Sequence, residues 1–318
     1  MPHTVSTVNH KVITDCYIHT LFSMMRSNVQ YVYKNEELSM KVAVITGAAN
    51  GIGLALSLIN LQQGKTVVMV DKDHAKLAHE ATQLIAQFPN QVIHFSCDIT
   101  QVSEVNDLVQ LIEQQLGRID YIYNNAGIIG TLAPVWDLTP QQVGQVIDVN
   151  VHGMLHIIRA FMPLLFKQDF RSHIINMASL YALCSGSQMA CYAMSKHAVL
   201  ALSESLHFDL QRLEKPVDIS VAFPSFTDTG LLANTSAENT SAFHHSLNAL
   251  LTHSRPALDV AEHIIREAEQ KRFYILPDKE VKGYSEERVK AIIQQENPHI
   301  NNIEKLLNSL LRRAKTAL

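Results

Sequence analysis

Cysteine is scarce in this chain. Its four residues among 318, Cys16, Cys97, Cys184 and Cys191, show no CxxC spacing and no metal-ligand pattern. That gives no basis for a cysteine metal site and reads as a protein of a reducing cytoplasm. Charge is modest too. Only 18% of residues are charged, and the net charge is −4 with a pI near 6.5, which offers no electrostatic case for nucleic acid as a partner. No stretch approaches the roughly 18 uninterrupted apolar residues of a membrane span. The first 39 residues lack the basic region, apolar core and small-residue cleavage site of a signal peptide. The glycosylation sequons at Asn234 and Asn239 therefore carry no weight. Sixteen histidines invite a metal. His152 and His156 stand four apart on a predicted helix, but the glutamate of HExxH is missing, so a polar face or a packing contact is expected. There is no internal repeat and no low-complexity tract.

What is present is apolar material. Hydrophobic residues make up 47% of the chain, ample for one large α/β domain or two small ones. Residues 1–39 have no clean period and read as a poorly ordered extension, as from an upstream start codon. From Met40 a pattern sets in. KVAVITG is a short β-branched run ending in glycine, a buried parallel strand. The segment that follows, AANGIGLALSLINLQQG, has helical spacing and stops at Gly64. Strands then alternate with helices: TVVMVD, a helix closed by Pro89, QVIHFSCD, a third helix, and RIDYIYNNAG. A long helix starts at Thr139-Pro140, an N-cap followed by proline at the first helical position, and Pro163 is expected to kink it. SHIINMAS, VDISVAFP and the short FYILP supply strands five to seven. The alternation predicts a single doubly wound, Rossmann-type α/β domain, with a seven-stranded parallel sheet, helices on both faces and right-handed crossovers. It is expected to span 40–280, with a polar, weakly patterned lid at about 225–256. A C-terminal helical tail, 281–318, is amphipathic and basic at its end. It is expected to dock on the domain or a partner subunit rather than a membrane.

Three features carry chemistry. The turn Thr46-Gly47-Ala48-Ala49-Asn50-Gly51-Ile52-Gly53 joins the first strand to the first helix. Its glycines let the backbone turn sharply and approach a ligand, and the helix N-terminus presents free N–H groups to a pyrophosphate. Asp71 ends the second strand about 20 residues past the loop, where a carboxylate can bond both ribose hydroxyls of an adenosine and repel a 2′-phosphate. No Arg or Lys sits inside the glycine loop, although Lys72 follows Asp71. NAD is therefore expected over NADP. The plain alternative is a solvated aspartate at a strand end. Last, Tyr192 precedes Lys196 by four residues on a predicted helix, so both lie on one face. A unit charge about 4 Å away, at an effective dielectric of roughly 20, is worth about 4 kcal/mol. That is expected to lower the tyrosine pKa from about 10 towards neutrality and fit it for proton exchange with an alcohol or carbonyl. Taken alone, the pair could equally be a surface tyrosine resting on a lysine stem.

In combination, TGAANGIG, Asp98 of CDIT, Asn124-Asn125-Ala126-Gly127, and Ser179 with Tyr192 and Lys196 resemble the short-chain dehydrogenase/reductase family over about residues 40–280. The resemblance implies a role for each residue. Asp98, with Ile99 beside it, contacts the adenine, and Asn125, Ala126 and Gly127 border the cofactor. Asn150 in DVNVHG holds a water for proton relay. Ser179 polarises the substrate oxygen, Tyr192 is the acid or base, and Lys196 binds the nicotinamide ribose. Pro224 and Thr229 touch the nicotinamide carboxamide. Ser225 stands where the family usually has glycine, which leaves open the geometry of that loop, since serine pays for positive φ.

The implied activity is the interconversion of an alcohol and a carbonyl by hydride transfer. The other readings kept open are a non-catalytic dinucleotide-sensing protein and an NADP-dependent reductase of the same fold. Leu180, Leu183, Met189, Leu231 and Leu232 suggest an apolar pocket, although most apolar residues of such a chain are simply core. The family spans steroids, sugars, polyols, fatty acyl derivatives and xenobiotics. A homodimer or homotetramer is expected along the long helix around Asn150 and the helix after Tyr192.

Overall fold

The computed structural model describes residues 40–229, 248 and 254–316. The expectations for residues 1–39 and for most of the 225–256 lid, Leu231 and Leu232 included, lie outside the described residues.

The first strand, β1 (Val42–Thr46), is buried along its whole length. A central strand of a parallel sheet has helices over both faces, so the polar-apolar alternation of a half-exposed strand disappears and β-branched residues fill it. The chain continues through α1 (Gly51–Gln62), β2 (Thr66–Asp71), α2 (His74–Gln87), β3 (Val92–Ser96), α3 (Val102–Gln115) and β4 (Tyr121–Asn124). Gly64, at φ +75°, stops α1 as its spacing predicts. Asp73 caps α2 by accepting the Lys76 amide at 3.1 Å. Next come α4 (Pro140–Ile147), α5 (Met154–Lys167), β5 (Ser172–Met177), α6 (Ala190–Arg212) and β6 (Val217–Ala222). The last part holds β7 (Thr227–Asp228), β8 (Arg255–Pro256), α7 (Ala257–Glu269), β9 (Tyr274–Ile275), α8 (Lys279–Gln294) and α9 (Asn302–Thr316).

The main sheet has seven parallel strands in the order β3-β2-β1-β4-β5-β6-β9. Strand faces divide the core in two. Ala43, Ile45, Val67 and Met69 point to one side with α1, α2 and α7. Val42, Val44, Val68 and Val70 point to the other with α3, α5 and α6. This is the doubly wound arrangement, and the strand order reverses between β1 and β4, where such sheets open a crevice at their carboxyl ends.

The long helix differs from expectation. It begins as predicted: the Thr139 hydroxyl accepts the Gln142 amide, the Gln142 side chain accepts the Thr139 amide, and Pro140 follows. It then passes through a π-helical stretch, Asp148–Gly153, and α5 continues through Pro163 to Lys167. A helical irregularity that no proline explains thus sits around Asn150. By length and composition Pro140–Lys167 could cross a membrane, but Ile157, Phe161 and Leu165 are fully buried against the sheet. A second, unforeseen sheet pairs β7 with β8, Thr227 opposite Arg255, and so joins the two ends of the 225–256 segment.

Candidate active site

At the carboxyl ends of β1 and β4 the structure holds a cleft of about 360 Å³. The β1–α1 turn forms its floor. Gly47 and Gly51 lie in the left-handed region at φ +65° and +51°. Gly53 does not line the cleft. It sits beneath, where a Cβ would come within 2.0 Å of the Gly47 carbonyl oxygen. The turn is braced from β4: Asn125 Nδ2 donates to the carbonyls of Thr46 and Gly47 at 3.0 and 3.2 Å. Thr46 Oγ1 in turn accepts the amides of Asn125 and Ala126. Sequence reasoning left Thr46 without a role. Across the cleft, Thr229 presses on Gly51, whose Cβ would lie 2.7 Å from the threonine Cβ.

Asp71 and Asp98 stand at the ends of β2 and after β3, and both line the cleft with Asn50, Ile52, Ile99, Ala126 and Gly127. Each Asp71 oxygen accepts one main-chain N–H, from Ala49 at 3.0 Å and from Asp73 at 3.1 Å. One Asp98 oxygen takes the Thr100 amide and hydroxyl. Cys97 also lines the cleft. Burial, aided by Glu104 and Asp98, pushes its thiol up to about 12, so it is no nucleophile.

Ser179, Tyr192 and Lys196 meet at the far end of the same cleft. Ser179 ends the loop after β5, its hydroxyl accepts the Tyr181 amide at 3.3 Å, and it lies close enough to the Tyr192 phenol to favour its ionised form. Lys196 lies one turn past Tyr192 on α6. Its Nζ, 5.6 Å from the Tyr192 ring centre, donates to the Met177 carbonyl at 2.9 Å. The expected acidification of Tyr192 by Lys196 does not hold here. Burial pushes the phenol up to about 12, offset in part by the nearby Ser179 hydroxyl. Burial also draws Lys196 down to about 8. The ammonium reaches past the ring to a carbonyl, and desolvation of both groups outweighs their attraction.

Asn150 lies behind the cleft, not on its wall. Both of its side-chain N–H groups are engaged, with the Ile128 carbonyl and Ser195 Oγ, each at 2.9 Å, and its oxygen accepts the Ile128 amide at 2.8 Å. Ser195 donates to the Tyr192 carbonyl at 2.7 Å. The π-helical stretch is thereby tied both to the loop after β4 and to the Tyr192 turn. His152 pairs with Asp148 on the surface and His156 with the Ile99 carbonyl, a polar face and a packing contact.

The loop after β6 lines the cleft with Pro224, Ser225, Phe226, Thr227 and Thr229. Ser225 is not among the residues at positive φ, so serine carries no backbone strain here. Its amide donates to Asp278 at 2.9 Å. Of the described residues expected in an apolar pocket, Leu180 and Met189 line the cleft, and Leu183 packs behind it. Tyr181, which no motif singles out, lies edge-on to Tyr192 with ring centres 5.9 Å apart.

Comparison with known proteins identifies the family. The family model described as short chain dehydrogenase matches residues 41–240. A 1-deoxy-11-beta-hydroxypentalenate dehydrogenase of Streptomyces exfoliatus is 38% identical over 201 residues, covering 63% of this chain and 72% of its own. A CLA biosynthesis dehydrogenase/reductase of Lactiplantibacillus plantarum is 27% identical over 282 residues, covering 84% and 98%. The crystal structure of a short chain dehydrogenase/reductase from Burkholderia phymatum in complex with NAD superposes with a TM-score of 0.77 at 30% identity, covering 83% of this chain and 98% of that one. With its sheet order, its glycine turn and its serine, tyrosine and lysine in one cleft, the chain belongs to the short-chain dehydrogenase family.

Proposed function

We propose that the chain is an oxidoreductase that interconverts an alcohol and a carbonyl with a nicotinamide dinucleotide, NAD in preference to NADP. The observation that carries this reading is the convergence of Ser179, Tyr192 and Lys196 on the same cleft as the glycine turn and Asp71.

The residues present fit the dinucleotide. The N-terminus of α1 has neither an acidic residue in its first turn nor a side-chain cap, so its N–H groups and positive dipole end are available to a pyrophosphate. In the glycine turn a Cβ would clash with Ala126 at Gly47 and with Thr229 at Gly51, so only glycine lets the backbone lie this close beneath the cleft. Asp71 would hold the adenosine ribose and disfavour a 2′-phosphate. Asp98, Ile99, Asn125, Ala126 and Gly127 would border the cofactor, and Pro224 and Thr229 would close over its far end. Bound there, the dinucleotide supplies the hydride acceptor or donor.

The protein supplies the proton. A buried phenol held above its ordinary pKa is protonated at neutral pH, so Tyr192 donates to the carbonyl oxygen in reduction. In oxidation it must accept the proton of the alcohol, and the Ser179 hydroxyl and the Lys196 ammonium both favour the phenolate. With substrate bound, the single hydrogen of Ser179 turns from the phenol to the substrate oxygen as charge develops there. Asn150 braces Tyr192 and the loop bearing Gly127 from behind.

The substrate proposed is a small hydroxyl- or carbonyl-bearing molecule, supported by the names of the relatives and by the apolar Leu180 and Met189 on the wall. Homo-oligomerisation is supported by Met194, Ala201 and Phe208, exposed at seven-residue spacing along one face of α6. The test is a panel of alcohols and ketones with each cofactor, followed by dihydronicotinamide absorbance. Tyr192→Phe is expected to lose on the order of 10³-fold in kcat while binding the cofactor unchanged. Substantial turnover by that variant would remove Tyr192 from the acid/base role.

A further inference from the structure

We propose that the C-terminal helix α9 is a working part of the substrate side of the cleft, with Glu304 and Leu307 as positioning residues. They hold the turn between Leu183 and Met189 against the reacting centre. The inference rests on the enzyme reading above.

That turn connects the Ser179 corner to the Tyr192 helix. Leu180 and Tyr181 just before it, and Met189 at its end, line the cleft. The turn has little of its own to fix its shape. Its internal bond, Met189 amide to Gly186 carbonyl, is long at 3.3 Å. Gln188 sits at φ +63°, a left-handed conformation that is strained for a residue with a Cβ. A strained residue persists only where its surroundings over-determine it.

The restraint comes from the end of the chain. The Glu304 carboxylate accepts the Ser187 amide at 2.8 Å and the Ser187 hydroxyl as well. Asn308 Nδ2 donates to the same carboxylate at 3.1 Å, and Asn301 Oδ1 caps α9 by accepting the Glu304 amide at 2.9 Å. One helical turn on, Leu307 is fully buried in the cluster that holds Leu180, Tyr181, Met189 and Tyr192. Helix and turn meet at Gly186, where a Cβ would stand 3.1 Å from Leu307 Cδ1 and 3.4 Å from both Glu304 Oε2 and Tyr181 Cε1. The carboxylate grips the turn and the leucine fills the space under it. Any displacement of α9 therefore moves Tyr181 and Met189 relative to Tyr192. The wall so fixed is largely apolar and selects a substrate with an apolar carbon framework beside the reacting carbon.

The experiment compares the natural chain with Glu304→Ala, Glu304→Gln and Ser187→Ala. It measures cofactor Kd, KM, kcat and amide hydrogen exchange across residues 183–189. Glu304→Ala is expected to raise KM about tenfold, with kcat and cofactor Kd changed by no more than about twofold, as for the loss of one charged hydrogen-bonded contact. Exchange in the turn should quicken in the same variant. Glu304→Gln keeps an acceptor oxygen and should recover most of the KM; Ser187→Ala, which leaves α9 intact, should reproduce part of the rise. Unchanged KM in Glu304→Ala, or KM and cofactor Kd worsening together, overturns the proposal. Should the natural chain turn over no alcohol or ketone with either cofactor, the enzyme reading fails. Exchange then decides the clasp: unaltered exchange in Glu304→Ala overturns it, and faster exchange confined to the turn upholds it.

Discussion

At the residue scale the site is governed by burial. Tyr192 and Lys196 are both buried, and each is driven towards its neutral form, the phenol up to about 12 and the amine down to about 8. The sign of the pH dependence follows. Below about 8 Lys196 keeps its proton and supports an anionic oxygen nearby; above it the ammonium is lost. For carbonyl reduction, kcat/KM is expected to fall as pH rises through about 8, read from a pH profile of the free enzyme. A profile flat to the phenol range would assign the limb elsewhere. Asp71 makes a second prediction. Asp71→Ser removes the charge that repels a 2′-phosphate, so the ratio of kcat/KM for NADP over NAD should rise at least about tenfold. Spacing found these residues because each motif is local in sequence. It could not weigh desolvation against Coulomb attraction, since burial belongs to the folded surroundings.

At the element scale, β5 and β6 show how an ordinary-looking residue becomes a stability determinant. His173 on β5 is 6% exposed, and its Nε2 lies 2.8 Å from Ser220 Oγ on β6. The Ser220 hydroxyl donates to the Arg272 carbonyl at 2.6 Å, so the histidine must be the donor in the first bond, with its proton on Nε2. Burial draws its pKa from 6.5 to about 4, opposed by Asp218 and aided by Lys271. The folded pKa lies below the unfolded one, so the stabilisation is complete above 6.5 and is lost as pH falls towards about 4. The loss is on the order of 3 kcal/mol. Urea unfolding at neutral and mildly acidic pH should show it, and His173→Gln should flatten the dependence. The same scale separates legible from illegible elements. Thr139-Pro140 and Gly64 mark helix ends because capping is chemistry among near neighbours. The π-helical stretch at Asp148–Gly153 left no local mark. Asn150 there is held by Ile128 and Ser195, residues remote in sequence.

At the scale of the whole molecule, the apolar residues left outside matter. Phe208 is 66% exposed and Met194 50% exposed on the same face of α6, an arrangement that suits association of like subunits. Phe208→Glu should weaken self-association by at least about tenfold, through burying an unpaired charge, and light scattering across a dilution series reads it. The C-terminal helix also belongs to this scale. Its amphipathic pattern announces a helix that must dock, but the partner surface, the turn around Gly186, is more than a hundred residues away in the chain and carries no complementary motif.

By itself the sequence determined the alternation of strands and helices, the glycine turn, and the identities of Ser179, Tyr192 and Lys196. These rest on periodicity, turn chemistry and fixed short spacings, which act between near neighbours. Only the tertiary structure decided that the Tyr192 phenol lies above its usual pKa, that Ser225 sits without strain beside Asp278, and that Glu304 and Leu307 stand behind the wall of the cleft. Each of those depends on which distant segments exclude water from a group or supply its hydrogen bond, and that is set when the sheet closes.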